Sequence, residues 1–253
     1  MKLTSNSALI VIDVQNDFCP GGRLAVPDGD AVVPVINRAM DDFEHVILTQ
    51  DWHPPTHKSF ARSHPGKAPF DSVDMDYGSQ ILWPEHCVRG SEGAAFHPDL
   101  DQDRAELVVR KGFREGIDSY SAFFENDRTT ATGLAGYLRE RGFTRVVLCG
   151  LATDFCVRYS AIDARKEGFD CEVLMPACRA IDLEGSLAAA VVMMRAAGVR
   201  LLESRRLSPQ SRLKAAHALV SDPTAPATGA DALPAVDESG PAWLEPQDRS
   251  RLD

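Results

Sequence analysis

RVVLCGLATDFCVRYSAIDARKEGFD, residues 145–170, changes character twice within one stretch. It begins as an apolar run, RVVLCGL (145–151), and stops abruptly at Thr153-Asp154. A helical pattern spans 155–167 and closes on the basic turn Arg165-Lys166 followed by Gly168, a helix stop. A second apolar run, CEVLMP (171–176), starts almost at once. Continuously apolar runs belong to strands covered on both faces, and parallel neighbours need a crossover between them. The stretch therefore reads as strand, helix, strand of a parallel sheet. Cys156 falls at the first strand-to-helix junction, where a free cysteine is either a small core residue or a poised nucleophile.

The same alternation extends outward in both directions. Further strands are expected at ALIVIDV (8–14), HVILTQD (45–51), AELVVRK (105–111) and VRLLE (199–203), with helices over 29–43, 130–142 and 184–197. Six strands interleaved with helices predict a three-layer α/β/α fold around a mostly parallel six-stranded sheet. Residues 52–104 stand apart, being rich in Pro, His, Gly and Asp with little periodicity. A loop region that long inside a domain is usually functional. Beyond residue 205 the chain turns rich in Pro, Ala and Asp, with a short helix expected over 208–220. The organisation predicted is one domain over 1–205 and a flexible extension over 206–253.

Composition narrows the class of function. The 253 residues are 44% hydrophobic and 25% charged, enough for a sizeable core, and carry a net charge of −10. That balance argues against a nucleic-acid partner, and no run is long enough to enter a membrane. It leaves room for a homo-oligomer. The six cysteines, at 19, 87, 149, 156, 171 and 178, include no C-x-x-C pair. Reduced thiols in a cytoplasmic protein are the expectation.

Ligands of parallel α/β sheets bind at the carboxyl ends of the strands. Those ends carry Asp13, Asp51 and Lys111, and the fourth strand leads to Cys156. A thiol with an ordinary pKa near ~8.5 is mostly protonated at neutral pH, so a nucleophilic cysteine needs help. A helix N-terminus and a nearby Lys111 would favour the thiolate, and Asp13 could accept the proton. The amides of the turn after the strand could face an oxyanion, with Gly150 and Ala152 small enough to admit a carbonyl. Cys149, inside the strand, belongs to the core.

A second constellation lies in TQDWHPPTHKSF (49–60) and WPEHCV (83–88). Asp51 and His53 flank one residue of an extended segment, so both side chains can face one way. His57 follows four residues later, and His86 comes from the distant loop. One carboxylate with two or three imidazoles suits Zn²⁺, Fe²⁺ or Mn²⁺. His45, His64, His97 and His217 read as surface or supporting residues.

These segments, in this order, resemble the nicotinamidase (pyrazinamidase) family of isochorismatase-like cysteine hydrolases. VIDVQNDFCPGG (11–22), TQDWHPPTHKSF, WPEHCV, KGFREGIDSYSAFF (111–124) and GLATDFCVRYSAIDA (150–164) carry the likeness, which spans roughly residues 7 to 203. The resemblance implies a catalytic trio of Asp13, Lys111 and Cys156. It also implies one divalent metal, zinc first with iron or manganese as alternatives, on Asp51, His53 and His86, with His57 as an optional further ligand. It implies a ring pocket of Phe18, Trp83 and Tyr120, and an oxyanion hole from the backbone N–H groups of Ala152 and Cys156. A non-proline cis peptide is expected at Leu151–Ala152. The implied reaction is hydrolysis of nicotinamide to nicotinate and ammonia through a cysteine thioester, in NAD salvage. The alternatives are a related amidohydrolase taking another small amide or ureido substrate, and a non-catalytic metal-binding scaffold on the same fold.

Overall fold

Ser7–Ile12 forms β1, whose six residues are all buried, as a run with no polar alternation requires. In this computed structural model residues 6–203 are described. The elements that follow are α1 (Val33–Met40), β2 (His45–Asp51), β3 (Ser72–Met75), β4 (Gly78–Ile81) and β5 (Leu107–Lys111). The second half holds α2 (Leu134–Glu140), β6 (Arg145–Leu151), α3 (Arg158–Lys166), β7 (Asp170–Arg179), α4 (Ser186–Ala196) and β8 (Arg200–Leu202). Six strands make one sheet in the order β5-β2-β1-β6-β7-β8, and every pairing in it is parallel. The predicted α/β architecture with flanking helices is present, and all six expected strands are found.

The centre of this sheet is the core. Leu9, Ile10, Ile12, Ile47, Leu48, Val147 and Leu148 are all fully covered. Each such side chain contributes about 1.5–3 kcal/mol relative to an exposed position. Gly150 shows why β6 must carry a glycine there. At φ +114°, a Cβ on it would lie 2.1 Å from the carbonyl oxygen of Ile12, so any side chain would force β6 away from β1. That junction sits directly behind the turn bearing Cys156.

The helices are shorter than the periodicity predicts. Gly29–Val32 is a 3-10 turn, and Thr153–Val157 is a π-type turn that precedes α3. Residues 52–104 are mostly irregular, as expected, except that β3 and β4 pair as a small antiparallel hairpin that the sequence reading missed. All six cysteines are free and buried. No helix among the described residues is long and apolar enough to cross a membrane. The extension expected over 206–253, with its helix at 208–220, lies outside the described residues.

Candidate active site

β5, β2, β1 and β6 are neighbours, so the residues at their carboxyl ends meet. Asp13 follows β1 at φ +48°. Its N–H donates to Thr49 Oγ1 at 3.1 Å, and the Thr49 hydroxyl donates back to Asp13 Oδ1 at 2.6 Å. Lys111 ends β5, and its ammonium lies 2.8 Å from Asp13 Oδ2, 2.5 Å from Asp51 Oδ1 and 2.8 Å from the Ser119 carbonyl. The ammonium donates to Asp51 and to the Ser119 carbonyl, and meets Asp13 Oδ2 as an ion pair. Its third donor reaches Cys156 Sγ at 3.5 Å.

This arrangement sets the charge balance at the sulfur. Two carboxylates and one ammonium leave an excess negative charge beside the sulfur. Burial, followed by the charges of Asp13 and Asp51, pushes the Cys156 thiol well above its usual range against the pull of Lys111. Lys111 favours the thiolate, against burial and the two carboxylates. Lys111 itself stays charged, because burial is outweighed by Asp13 and Asp51. Asp13 is raised to about 6, first by burial and also by Asp51, with Lys111 and Thr49 opposing. A carboxyl so placed is suited to exchange a proton near neutral pH.

Asp51, His53 and His86 bring three donor atoms together within 4.8 Å of one another. His53 Nδ1 lies 2.8 Å from the Gly112 carbonyl, and His86 Nδ1 lies 2.8 Å from the Pro84 carbonyl. A carbonyl only accepts, so each Nδ1 carries the hydrogen and each Nε2 is left with its lone pair. Those two nitrogens stand 3.6 and 3.9 Å from Asp51 Oδ2, and His53 Nε2 is buried without a hydrogen-bond partner. The backbone also makes room: at Gly112, φ +64°, a Cβ would sit 2.5 Å from His53 Cε1. Burial lowers His86 to about 4, keeping it neutral, while at His53 the Asp51 carboxylate outweighs burial and raises the pKa. Asp51, despite burial, is held below the usual carboxylate range by Lys111, His53 and His86. Two preset imidazole lone pairs and an ionised carboxylate fit a divalent cation.

His57 is used differently. Its Nε2 lies 3.2 Å from the Ile117 carbonyl and so donates there, while Nδ1 accepts from Ser59 Oγ at 2.7 Å. Both ring nitrogens are engaged by protein, and burial drives its pKa down to about 4. It packs on the His53 ring at 4.4 Å and falls in a separate group with His53 and Asp118.

Asp51 and His86 of the donor set open with the thiol onto one recess. Its walls include the expected Phe18, Trp83 and Tyr120, together with Ala152, and four residues the sequence reading missed: Leu24, Asp118, Phe155 and Ile181. Trp83 Nε1 donates to the Tyr120 hydroxyl at 3.0 Å, and the Trp83 ring meets Phe155 edge-on at 4.9 Å. Phe18 tilts against His86 at 5.4 Å. Asp118 is buried, accepting from the Ser119 N–H at 2.8 Å and from Gln80 Nε2 at 3.1 Å. Gln15 and Asp17, also missed, brace the neighbouring segments. Gln15 pairs with both backbone groups of Asp51, and Asp17 Oδ2 accepts the N–H of Cys87 beside His86. Their signal lay in the polar letters that interrupt VIDVQNDF.

The Leu151–Ala152 peptide is cis, as expected. In the turn that follows, the N–H groups of Phe155 and Val157 both go to the Ala152 carbonyl, at 3.2 and 3.1 Å. Ala152, Phe155 and Cys156 all face the recess.

The Isochorismatase domain model matches residues 7–206. The chain belongs to the isochorismatase domain family. Within that family it is 54% identical over 207 residues to a nicotinamidase of Acinetobacter baylyi, covering 82% of this chain and 97% of that protein. A solved nicotinamidase/pyrazinamidase from Acinetobacter baumanii superposes with a TM-score of 0.81 at 55% identity, over 82% of this chain and all of that one. A pyrazinamidase of Pyrococcus horikoshii solved in complex with zinc is 36% identical, with a TM-score of 0.64 over 79% of this chain and 99% of that one.

Proposed function

We propose that this isochorismatase-family chain is a nicotinamidase, hydrolysing nicotinamide to nicotinate and ammonia through a thioester on Cys156, as a step of NAD salvage. The observation that carries the reading is a single recess. Cys156, backed by Lys111 and Asp13, and Asp51 and His86 of the donor set open into it between aromatic walls. Relatives at 54% and 55% identity that bear the nicotinamidase name support the substrate.

Asp51, His53 and His86 would hold one divalent cation, with zinc the first choice from the zinc-bound pyrazinamidase and iron or manganese as alternatives. Bound there, the cation would supply positive charge and a Lewis-acid contact for the ring nitrogen of the substrate. Trp83, Tyr120, Phe155 and Phe18 hold the flat ring and exclude water. Asp13 takes the thiol proton as Cys156 Sγ attacks the amide carbon, so proton removal and attack coincide rather than a thiolate being stored. The backbone N–H groups of Ala152 and Cys156 receive the oxyanion. As the C–N bond breaks, Asp13 passes its proton to the leaving ammonia. Asp13 then takes a proton from water, which attacks the thioester. The C–S bond breaks, nicotinate leaves, and the proton returns to sulfur. Lys111 holds the two carboxylates in place and balances their charge. His57 acts as packing beneath His53 and not as a ligand. Residues 1–205 carry this activity, and the reducing cytoplasm suits its free thiol.

The test is ammonia release by purified, reduced, zinc-loaded protein offered nicotinamide, pyrazinamide and a small ureido amide. Turnover of the two ring amides is expected. Turnover of the ureido compound alone would transfer the chain to a different amidohydrolase reaction, and none at all would favour a non-catalytic scaffold.

A further inference from the structure

Asp154 is a fully buried carboxylate, two residues before Cys156, that no step of the reaction uses. Its Oδ1 accepts the N–H of Ile181 at 3.1 Å, and its Oδ2 accepts the N–H of Asp182 at 2.7 Å and the hydroxyl of Ser186. The three donors come from the connection between β7 and α4 and from the first residue of α4. That connection holds Asp182 at φ 55°, Glu184 at φ 50° and Gly185 at φ 83°. Two of these are non-glycine residues in the left-handed region, which persists only where surrounding structure enforces it. Ile181, at its start, is a wall of the recess, as are Phe155 and Cys156 on the turn that carries Asp154.

One carboxylate thus ties the aliphatic wall of the recess to the turn bearing the sulfur. We propose that Asp154 is a positioning and specificity residue: it fixes the separation between Ile181 and Cys156, so that the recess grips an unsubstituted flat ring amide and rejects wider ones. The inference rests on the nicotinamidase reading for its substrate but not for its geometry. An amide cannot replace the carboxylate here. Two of the three donors are backbone N–H groups, which cannot reverse, so Asn at this position would turn its NH₂ toward one of them. Released from that anchor, the connection relaxes outward and carries Ile181 with it.

The experiment compares wild type with Asp154→Asn, Ile181→Ala, the double variant and Ser186→Ala, all zinc-loaded. Asp154→Asn should raise KM for nicotinamide about tenfold while changing kcat less than threefold. Its preference for nicotinamide over 5-methylnicotinamide should fall by a similar factor. Ile181→Ala should do the same, and the double variant should be no worse than either alone, because both act through one wall. Ser186→Ala, losing only the hydroxyl, should show a two- to threefold version. Multiplying effects in the double variant, or a fall in kcat with unchanged KM and preference, would overturn the proposal. Hydrogen exchange supplies a reading independent of substrate. The amides of Ile181 and Asp182 should exchange at least tenfold faster in Asp154→Asn, with β1 and β6 unchanged, and unaltered protection would overturn it. If Asp154→Asn does not fold, Ser186→Ala decides, and wild-type kinetics and preference there would count against the clamp. Absence of nicotinamide turnover by wild type would count against the nicotinamidase reading alone and leave the clamp to the exchange measurement.

Discussion

The two halves of the recess are built on opposite principles. On the β2 side, the polar atoms that face the recess are fixed by other polar atoms. His53 and His86 each give a hydrogen to a backbone carbonyl, and the Asp51 backbone is paired with Gln15. On the β6 side, Cys156 sits among Phe155, Ala152 and Ile181, with a lysine shared between the sulfur and two carboxylates. The first half has its lone pairs aimed before any ligand arrives. The second half, on the proposed mechanism, relies on Asp13 taking the thiol proton as Cys156 attacks. Lys111 joins them, since the same ammonium touches the base, the Asp51 carboxylate and the sulfur.

Crossed substitutions should separate the halves most sharply. Cys156→Ala is expected to lower turnover by at least ~10⁴-fold, in line with the loss of a covalent nucleophile, while keeping full metal content by elemental analysis. Asp51→Ala is expected to lose both bound metal and turnover. It also strips Lys111 of a partner, and breaking a buried pair costs about 3–5 kcal/mol, so its melting temperature should fall as well. If Asp51→Ala retained stoichiometric metal, or Cys156→Ala lost it, the division between the halves would be wrong.

The proton step gives a smaller, continuous effect. Asp13 must be ionised to act as base, and its carboxyl is raised to about 6 by burial and by Asp51. kcat/KM should be flat above that pH and fall tenfold per unit below it. A cation on the donor set would lower the carboxyl further, so the break in loaded enzyme should lie at or below about 6. A break above 7 would assign the essential proton to a different group.

His57 should give the smallest effect. Because both its nitrogens are satisfied by Ser59 and Ile117, His57→Asn should keep its metal and lose less than tenfold in kcat/KM. Loss of metal in that variant would return His57 to the ligand set.

The strands and the convergence of Asp13, Lys111 and Cys156 were legible because both follow from local rules. Apolar runs mark buried strands, and ionisable residues at their carboxyl ends must converge once the strands are parallel. The D-W-H spacing placed Asp51 and His53 for the same reason. What could not be read came from tertiary placement. Leu24, Asp118 and Ile181 reach the recess from irregular connections with no period to project. The β3–β4 hairpin is short, and its β3 strand is partly exposed, so it lacks an apolar pattern. His57 carried the same chemical promise as His53 until Ser59 and a distant carbonyl claimed it. That Lys111 would be shared between Cys156 and two carboxylates depends on distances that a sequence does not hold.

The central claim is a covalent intermediate on Cys156, and acid quenching during turnover of nicotinamide tests it most directly. Peptide mass analysis should find one nicotinoyl group on the peptide containing Cys156, labile to hydroxylamine and absent from Cys156→Ala. A nicotinoyl group on any other residue, or undiminished nicotinate production by Cys156→Ala, would contradict it.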